Sequence, residues 1–352
     1  MKNRYRILLI TGFALILNSS IAQDIHFSQF YETPLLINPA MAGVIPGDIR
    51  VILNYKDQWG SVMSFPYRTT LISYDMGLFK KKWKKVHLGA GFLAFNDKAG
   101  KSEFGTTQVN FSLSGIVPLD LHHTISAGLQ GGFAQRSISY TDLNWGDQFD
   151  GTGPNLPTEE TGDYNTEPFL YGDFSAGVTW NYIKSAKTLS SNDEFKANAG
   201  IAFFHINKPK QQYYANDIEK LYSKLALHGK VYIGLKNTPL AVVPTLLYYQ
   251  QGTSSEVIAG TMIRYMITEE SKYTGFIKES AISFGGHIRV GDAFIPSVLL
   301  EIANFGLGIS YDVNISGLKK VSYGKGGFEI SLRYINPSPF RYGRGTKSGS
   351  MF

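Results

Sequence analysis

From Asp48 onward, apolar and polar residues alternate with a period of two, the signature of β-strands with two unlike faces. Ile282, Phe284, Ile288 and Val290 alternate with Ser283, Gly285, His287 and Arg289; Val109, Phe111 and Leu113 alternate with Asn110, Ser112 and Ser114. The same holds for Leu307, Ile309, Tyr311 and Val313 against Gly308, Ser310, Asp312 and Asn314, and for Phe328, Ile330, Leu332 and Tyr334 against Gly327, Glu329, Ser331 and Arg333. Such segments number about fourteen, centred near residues 53, 72, 91, 110, 130, 175, 201, 230, 245, 261, 285, 298, 311 and 331. So many one-sided strands predict an all-β chain, and no other part of it is long enough to cover their apolar faces as a soluble core would. The fold expected is a transmembrane outer-membrane β-barrel of about 14 antiparallel strands, apolar face to lipid and polar face to the lumen. If the first strand rises from the periplasm, the longest connections, near 139–167 and 207–224, fall outside, and short links such as Lys236 to Pro239 fall inside.

Two stretches stand apart from this alternation. Residues 1–22 read as a secretory signal peptide: Lys2, Arg4 and Arg6 precede the apolar run Ile7 to Leu17, which is too short to span a bilayer, and cleavage is expected between Ala22 and Gln23. Residues 23–47 alternate in no regular way. They mix Phe27, Phe30, Tyr31, Leu35, Leu36 and Ile37 with His26, Ser28, Gln29 and Asn38, and carry Pro34 and Pro39. Each proline disfavours helix at the residue before it, so Thr33 and Asn38 should be extended or in turns. The apolar side chains would be costly in water and the prolines and polar groups costly in lipid. The segment is therefore expected to plug or line the lumen, inside or across the periplasmic mouth. The barrel would occupy 48–335, and the Gly/Ser/Pro-rich basic tail 336–352 would form a flexible periplasmic extension.

Composition agrees with a barrel, with 14% aromatic and only 18% charged residues. Without the leader, 31 of the 34 Lys and Arg remain against 28 Asp and Glu, a net charge of +3 that gives nucleic-acid binding no support. The chain has no cysteine, which removes disulfides, thiolate metal sites and a lipid-modified amino-terminal Cys. The seven histidines are scattered with no metal-binding spacing, Gly128, Gly131 and Gly132 lie in a strand rather than before a helix, and no Ser sits in a nucleophile motif. No enzyme activity and no cofactor are expected. Two charged stretches remain. Asp147, Asp150, Glu159, Glu160, Asp163 and Glu167, in the loop 142–167, could ligate calcium but read more simply as a solvated acidic loop. Lys80, Lys81, Lys82, Lys84 and Lys85 around Trp83 could meet anionic headgroups or an acidic partner, or form a wet turn at the membrane edge.

The pattern Asp24, His26, Phe27, Ser28, Gln29, Phe30, Tyr31, Pro34, Asn38, Pro39, Ala40 and Gly43 resembles the start of mature PorP/SprF proteins, outer-membrane components of the type IX secretion system of Bacteroidetes. The resemblance continues through Asn54 to Trp59, Pro66 to Thr69, Phe95 to Gly100, Gln135 to Ile138, Gly146 to Gly151, His205 to Pro209 and Ser310 to Asn314. It implies a non-enzymatic role in type IX secretion and gliding, in association with periplasmic ring and motor proteins. It also implies handling or surface attachment of a large adhesin through that cargo's C-terminal domain. A rival is a plugged channel for hydrophobic solutes of the fatty-acid transporter type, whose amino-terminal plug carries an Asn-Pro-Ala element like Asn38-Pro39-Ala40.

Overall fold

A computed structural model describes residues 24–80, 86–139, 143, 167–184, 192–212, 219–268 and 279–336. The chain forms β1 (Ile49–Gln58), β2 (Tyr67–Leu78), β3 (His87–Ala99), β4 (Phe104–Pro118), β5 (His123–Ser137), β6 (Phe169–Lys184) and β7 (Phe195–Phe204). A small hairpin, β8 (Lys210–Gln211) and β9 (Glu219–Lys220), interrupts the series. It resumes with β10 (Lys224–Gly234), β11 (Leu240–Gln251), β12 (Ser254–Thr268), β13 (Ser280–Arg289), β14 (Ala293–Ile302), β15 (Phe305–Asn314) and β16 (Lys325–Asn336). Apart from the hairpin, each strand pairs antiparallel with its neighbours in sequence, and β1 pairs with β16 from Ile49 opposite Asn336 to Gln58 opposite Gly327. The result is a closed barrel of fourteen antiparallel strands, and each strand centre expected from the alternation falls within one of them. The last strand runs one residue further than expected, to Asn336.

The pleat sorts the side chains as a membrane barrel requires. On β4, Gln108, Asn110, Ser112 and Ser114 are buried toward the lumen, while Phe111 and Leu113 are 61% and 68% exposed on the outer surface. On β5, Ser126 and Gln130 face in, and Leu129 and Phe133 are 69% and 65% exposed. Apolar side chains left outward at this level suit a hydrocarbon surround. Aromatic rings gather at one rim, where His123 stacks on Trp180 and Tyr182 packs against Phe195, and Trp59 meets Tyr67 at the other. Such rings, apolar with a polar edge, suit membrane–water interfaces.

The two ends of the barrel differ. At the entry end, where β1 begins, lie the links 79–86, 119–122, 185–194, 235–239, 269–279 and 303–304; the two longest connections, 138–168 and 205–223, both lie at the opposite, long-loop end.

Candidate functional site

Three one-turn helices break up the amino-terminal segment: Phe30–Glu32, Pro34–Ile37 and Pro39–Met41. Pro34 and Pro39 each stand at a first helical position, where a missing N–H costs nothing and the fixed φ favours the turn. Asn38 between them is extended, at φ −158° and ψ 119°, and its Oδ1 caps the next turn by accepting from the Ala40 N–H at 2.9 Å. Residues 27–43 are all buried, and their partners are inward-facing groups on strands all round the ring.

Asn38 alone joins three strands. Its Nδ2 donates to the carbonyls of Val178 (3.1 Å) and Ile201 (3.2 Å), and His228 Nε2 lies 3.1 Å away. The carbonyls of Ala40 and Ala42 accept from Ser126 and Ser114 at 2.5 and 2.6 Å. This close approach needs glycine opposite: a Cβ on Gly128 would lie 2.6 Å from the backbone of Pro39 and Ala40. Gly43, at φ +70°, turns the chain where its N–H donates to Asp75 Oδ2 at 2.8 Å. Asp75 also takes both Nε and Nη2 of Arg50 at 2.8 and 2.9 Å, a bidentate pair with both side chains fully buried.

Apolar side chains of the segment are met by apolar patches on the inner wall. Phe27, Leu35, Leu36 and Ala42 pack with Leu71, Leu93 and Phe95. Phe30, Tyr31 and Ile37 join a cluster that includes Phe204, Leu247, Ile258, Met262 and Ile295, and Tyr31 stacks on His287 at 5.5 Å between ring centres.

Charged groups hold the remainder. Glu329 accepts from the backbone N–H of Ser28 and Gln29 at 2.8 and 2.9 Å, and Gln29 Oε1 accepts from Ser331 at 2.9 Å. Ser28 Oγ donates to Asp312 (2.9 Å) and accepts from Arg289 (2.5 Å), which is itself paired with Asp312 at 3.0 Å. Glu32 pairs with Arg333 at 2.7 Å, and Arg333 with Glu301 at 2.7 Å. The segment ends at the long-loop mouth. There the Asp24 N–H donates to Gln251 (3.0 Å), and the Asp24 carboxylate lies 2.6 Å from His205 Nε2 and 3.7 Å from Lys224. His205 Nδ1 is 2.9 Å from Asp173, so the imidazole sits between two carboxylates. Burial works against the His205 cation, but Asp24 and Asp173 outweigh it and raise its pKa to about 9. Burial likewise opposes the Asp24 anion, yet His205 and Lys224 hold that carboxyl well below its ordinary value.

This ordered set of residues, carried on a closed barrel, matches one family model, that of the type IX secretion system membrane protein PorP/SprF, over residues 19–334. The chain belongs to the PorP/SprF family. The family is a membrane component of type IX secretion, and the fold is that of an outer-membrane barrel. No curated protein matches the chain. Similar solved structures include CdiB from Acinetobacter baumannii, with 7% identity over 82% of this chain and 60% of that chain and a TM-score of 0.40. BamA from Haemophilus ducreyi lacking POTRA domains 1-3 is 11% identical over 82% of this chain and 70% of its own, at a TM-score of 0.41. The P. putida toluene transporter TodX is 9% identical over 86% and 94%, at 0.39. The chain thus spans less than two thirds of the CdiB chain it matches.

The expected site residues Asp24, His26, Phe27, Ser28, Gln29, Phe30, Tyr31, Pro34, Asn38, Pro39, Ala40 and Gly43 come together as one packed thread. Against the expectation of a segment that plugs or lines the lumen, inside or across the periplasmic mouth, its polar partners run from Asp24 beside His205 near the long-loop mouth to Gly43 on Asp75 near the start of β1. Lys80 donates to the carbonyls of Gly47 (2.6 Å) and Ile45 (3.2 Å), which ties it to the segment's exit. Lys81, Lys82, Trp83, Lys84 and Lys85 lie outside the described residues, as do Ala22, Gln23, the tail beyond Asn336, and all of the acidic loop 142–167 except Leu143 and Glu167. Asp173, Arg50, Asp75, Glu329 and Arg333 also belong to the site, and their sequence signal is a charge at an inward strand position; His205, just past β7, is signalled only as the start of the block His205 to Pro209.

Proposed function

We propose that this PorP/SprF chain is a non-enzymatic outer-membrane component of the type IX secretion and gliding machinery, supporting secretion or surface attachment of a cargo such as a large adhesin. In this reading residues 23–47 plug the barrel, the entry end faces the periplasmic ring and motor proteins, and the cargo's C-terminal domain is met at the long-loop end. One observation supports it: residues 27–43 are buried among inward-facing wall residues, with Asp24 on His205 near one mouth and Gly43 on Asp75 near the other. A barrel of fourteen strands is too wide for wall side chains alone to close, so an internal segment is needed in either reading, and membership of the PorP/SprF family is what favours secretion over solute transport. The test is deletion of the gene. Surface display of a partner adhesin should be lost while uptake of small solutes is unchanged. Normal display with lost uptake of a hydrophobic nutrient would favour the channel reading instead.

A further inference from the structure

The segment is held very differently at its two ends. Its carboxyl end is covalently rooted at the entry mouth, where Asp48 pairs through its backbone with Asn336 (3.1 Å) and Gly77 (3.0 Å) and leads directly into β1. Its described amino end sits at the long-loop mouth among Gln251, the last residue of β11, Lys224, the first of β10, and His205, just past β7. Between these points the segment carries Asp24, Glu32 and Asp48 and no Lys or Arg, while the wall beside it presents Lys56, Arg50, Arg289 and Arg333. The same wall also presents Glu329, Asp312 and Asp75, which pair with Lys56, Arg289 and Arg50, so the thread is held by local contacts of both signs rather than by a net field.

Rooting fixes the direction of exit. Residues 24–48 fully extended reach roughly 80 Å, well beyond the height of strands of 10 to 16 residues. Drawn outward, the thread would still run from its root through the whole lumen before emerging, so the barrel would stay occupied. Drawn inward, it leaves nothing behind. Among the described residues, the contact furthest from the root is the group around Asp24, which is the last hold against inward movement.

We propose that the segment is a one-way gate: latched at the long-loop mouth by Asp24, His205 and Asp173, it clears the lumen only by withdrawal through the mouth where β1 begins. This rests on the plug reading above and adds its direction and its catch. Any partner that opens the barrel must then pull from, or capture the thread at, the entry side.

The absence of native cysteine allows a single-thiol test on the full chain. Ile25→Cys, biotinylated at the thiol, is combined with His205→Ala and reconstituted in planar bilayers, with orientation read from a tag in the 235–239 link. Relative to the same chain with His205 intact, open events should rise several-fold. Streptavidin on the long-loop side should suppress them, and streptavidin on the entry side should trap the channel open. Openings unaffected by streptavidin on the long-loop side, trapping from that side, or no increase on loss of the latch would each overturn the proposal. Where His205→Ala fails to give a heat-shifted barrel on gels, Asp24→Asn serves as the latch variant under the same criteria. No cargo is present, so failure here leaves the secretion role to be decided by adhesin display in cells.

Discussion

His205 is the residue at which the environment of the lumen is most clearly written. It faces Asp24 and Asp173, with Lys224 behind Asp24, Gln108 donating to Asp173 at 3.1 Å and Ser223 donating to the His205 carbonyl at 3.1 Å. Its pKa of about 9 in the folded chain lies above the ordinary 6.5, so its contribution is complete below about pH 6.5, declines above that and is gone once pH exceeds about 9. Asp24, shifted down, keeps its contribution above about pH 4 and loses it only in stronger acid. The expected outcome is a fall in the unfolding midpoint in detergent between pH 6 and pH 10 that His205→Gln largely removes; an equal fall in both would contradict the assignment. A second test contrasts two ion pairs. Asp75→Ala strands a fully buried Arg50 and the Gly43 N–H, and should cost about 3–5 kcal/mol in denaturant unfolding. Glu103→Ala removes the partner of Lys98 from a pair 52% and 62% exposed and should cost about 0–1 kcal/mol. The residue scale is also where the sequence was least legible. A period-two pattern reveals that Glu329, Arg333 and Asp312 face the lumen, but it carries no information on which charge meets which across a closed ring.

At the scale of elements, the alternation located every barrel strand because each strand's two faces meet unlike surroundings, and that difference is encoded residue by residue. The amino-terminal segment was legible as ordered and irregular, since Pro34, Pro39 and Asn38 dictate its turns locally. Its path was not, because position along the lumen is set by contacts some 300 residues away, such as Ser331 with Gln29. Removing residues 24–43 while keeping residues 1–23 should therefore leave the strands able to insert, since their mutual pairing does not involve the segment. The shortened protein should conduct in planar bilayers and fail to support secretion. Unchanged conductance with full secretion would show that the segment neither fills the barrel nor engages a partner.

For the molecule as a whole, closure makes a stable object of strands that are individually weak. The folded chain should run anomalously on gels until boiled, because no free sheet edge offers detergent a place to begin; a mobility independent of heating would count against the closed ring. The β1–β16 seam has a further consequence, for the order in which the molecule can be made. The thread is joined to the first strand of the ring, while Glu329, Ser331 and Arg333, which grip it, belong to the last. Neither the seam nor the filled interior can exist until the final residues of β16 have arrived, and contacts spanning nearly the whole chain form slowly. Assembly thus carries its own proofreading. A chain broken before β16 keeps an open strand edge, free to pair with other chains, together with a leading segment whose apolar side chains Phe27, Phe30, Tyr31 and Leu35 lack their partners.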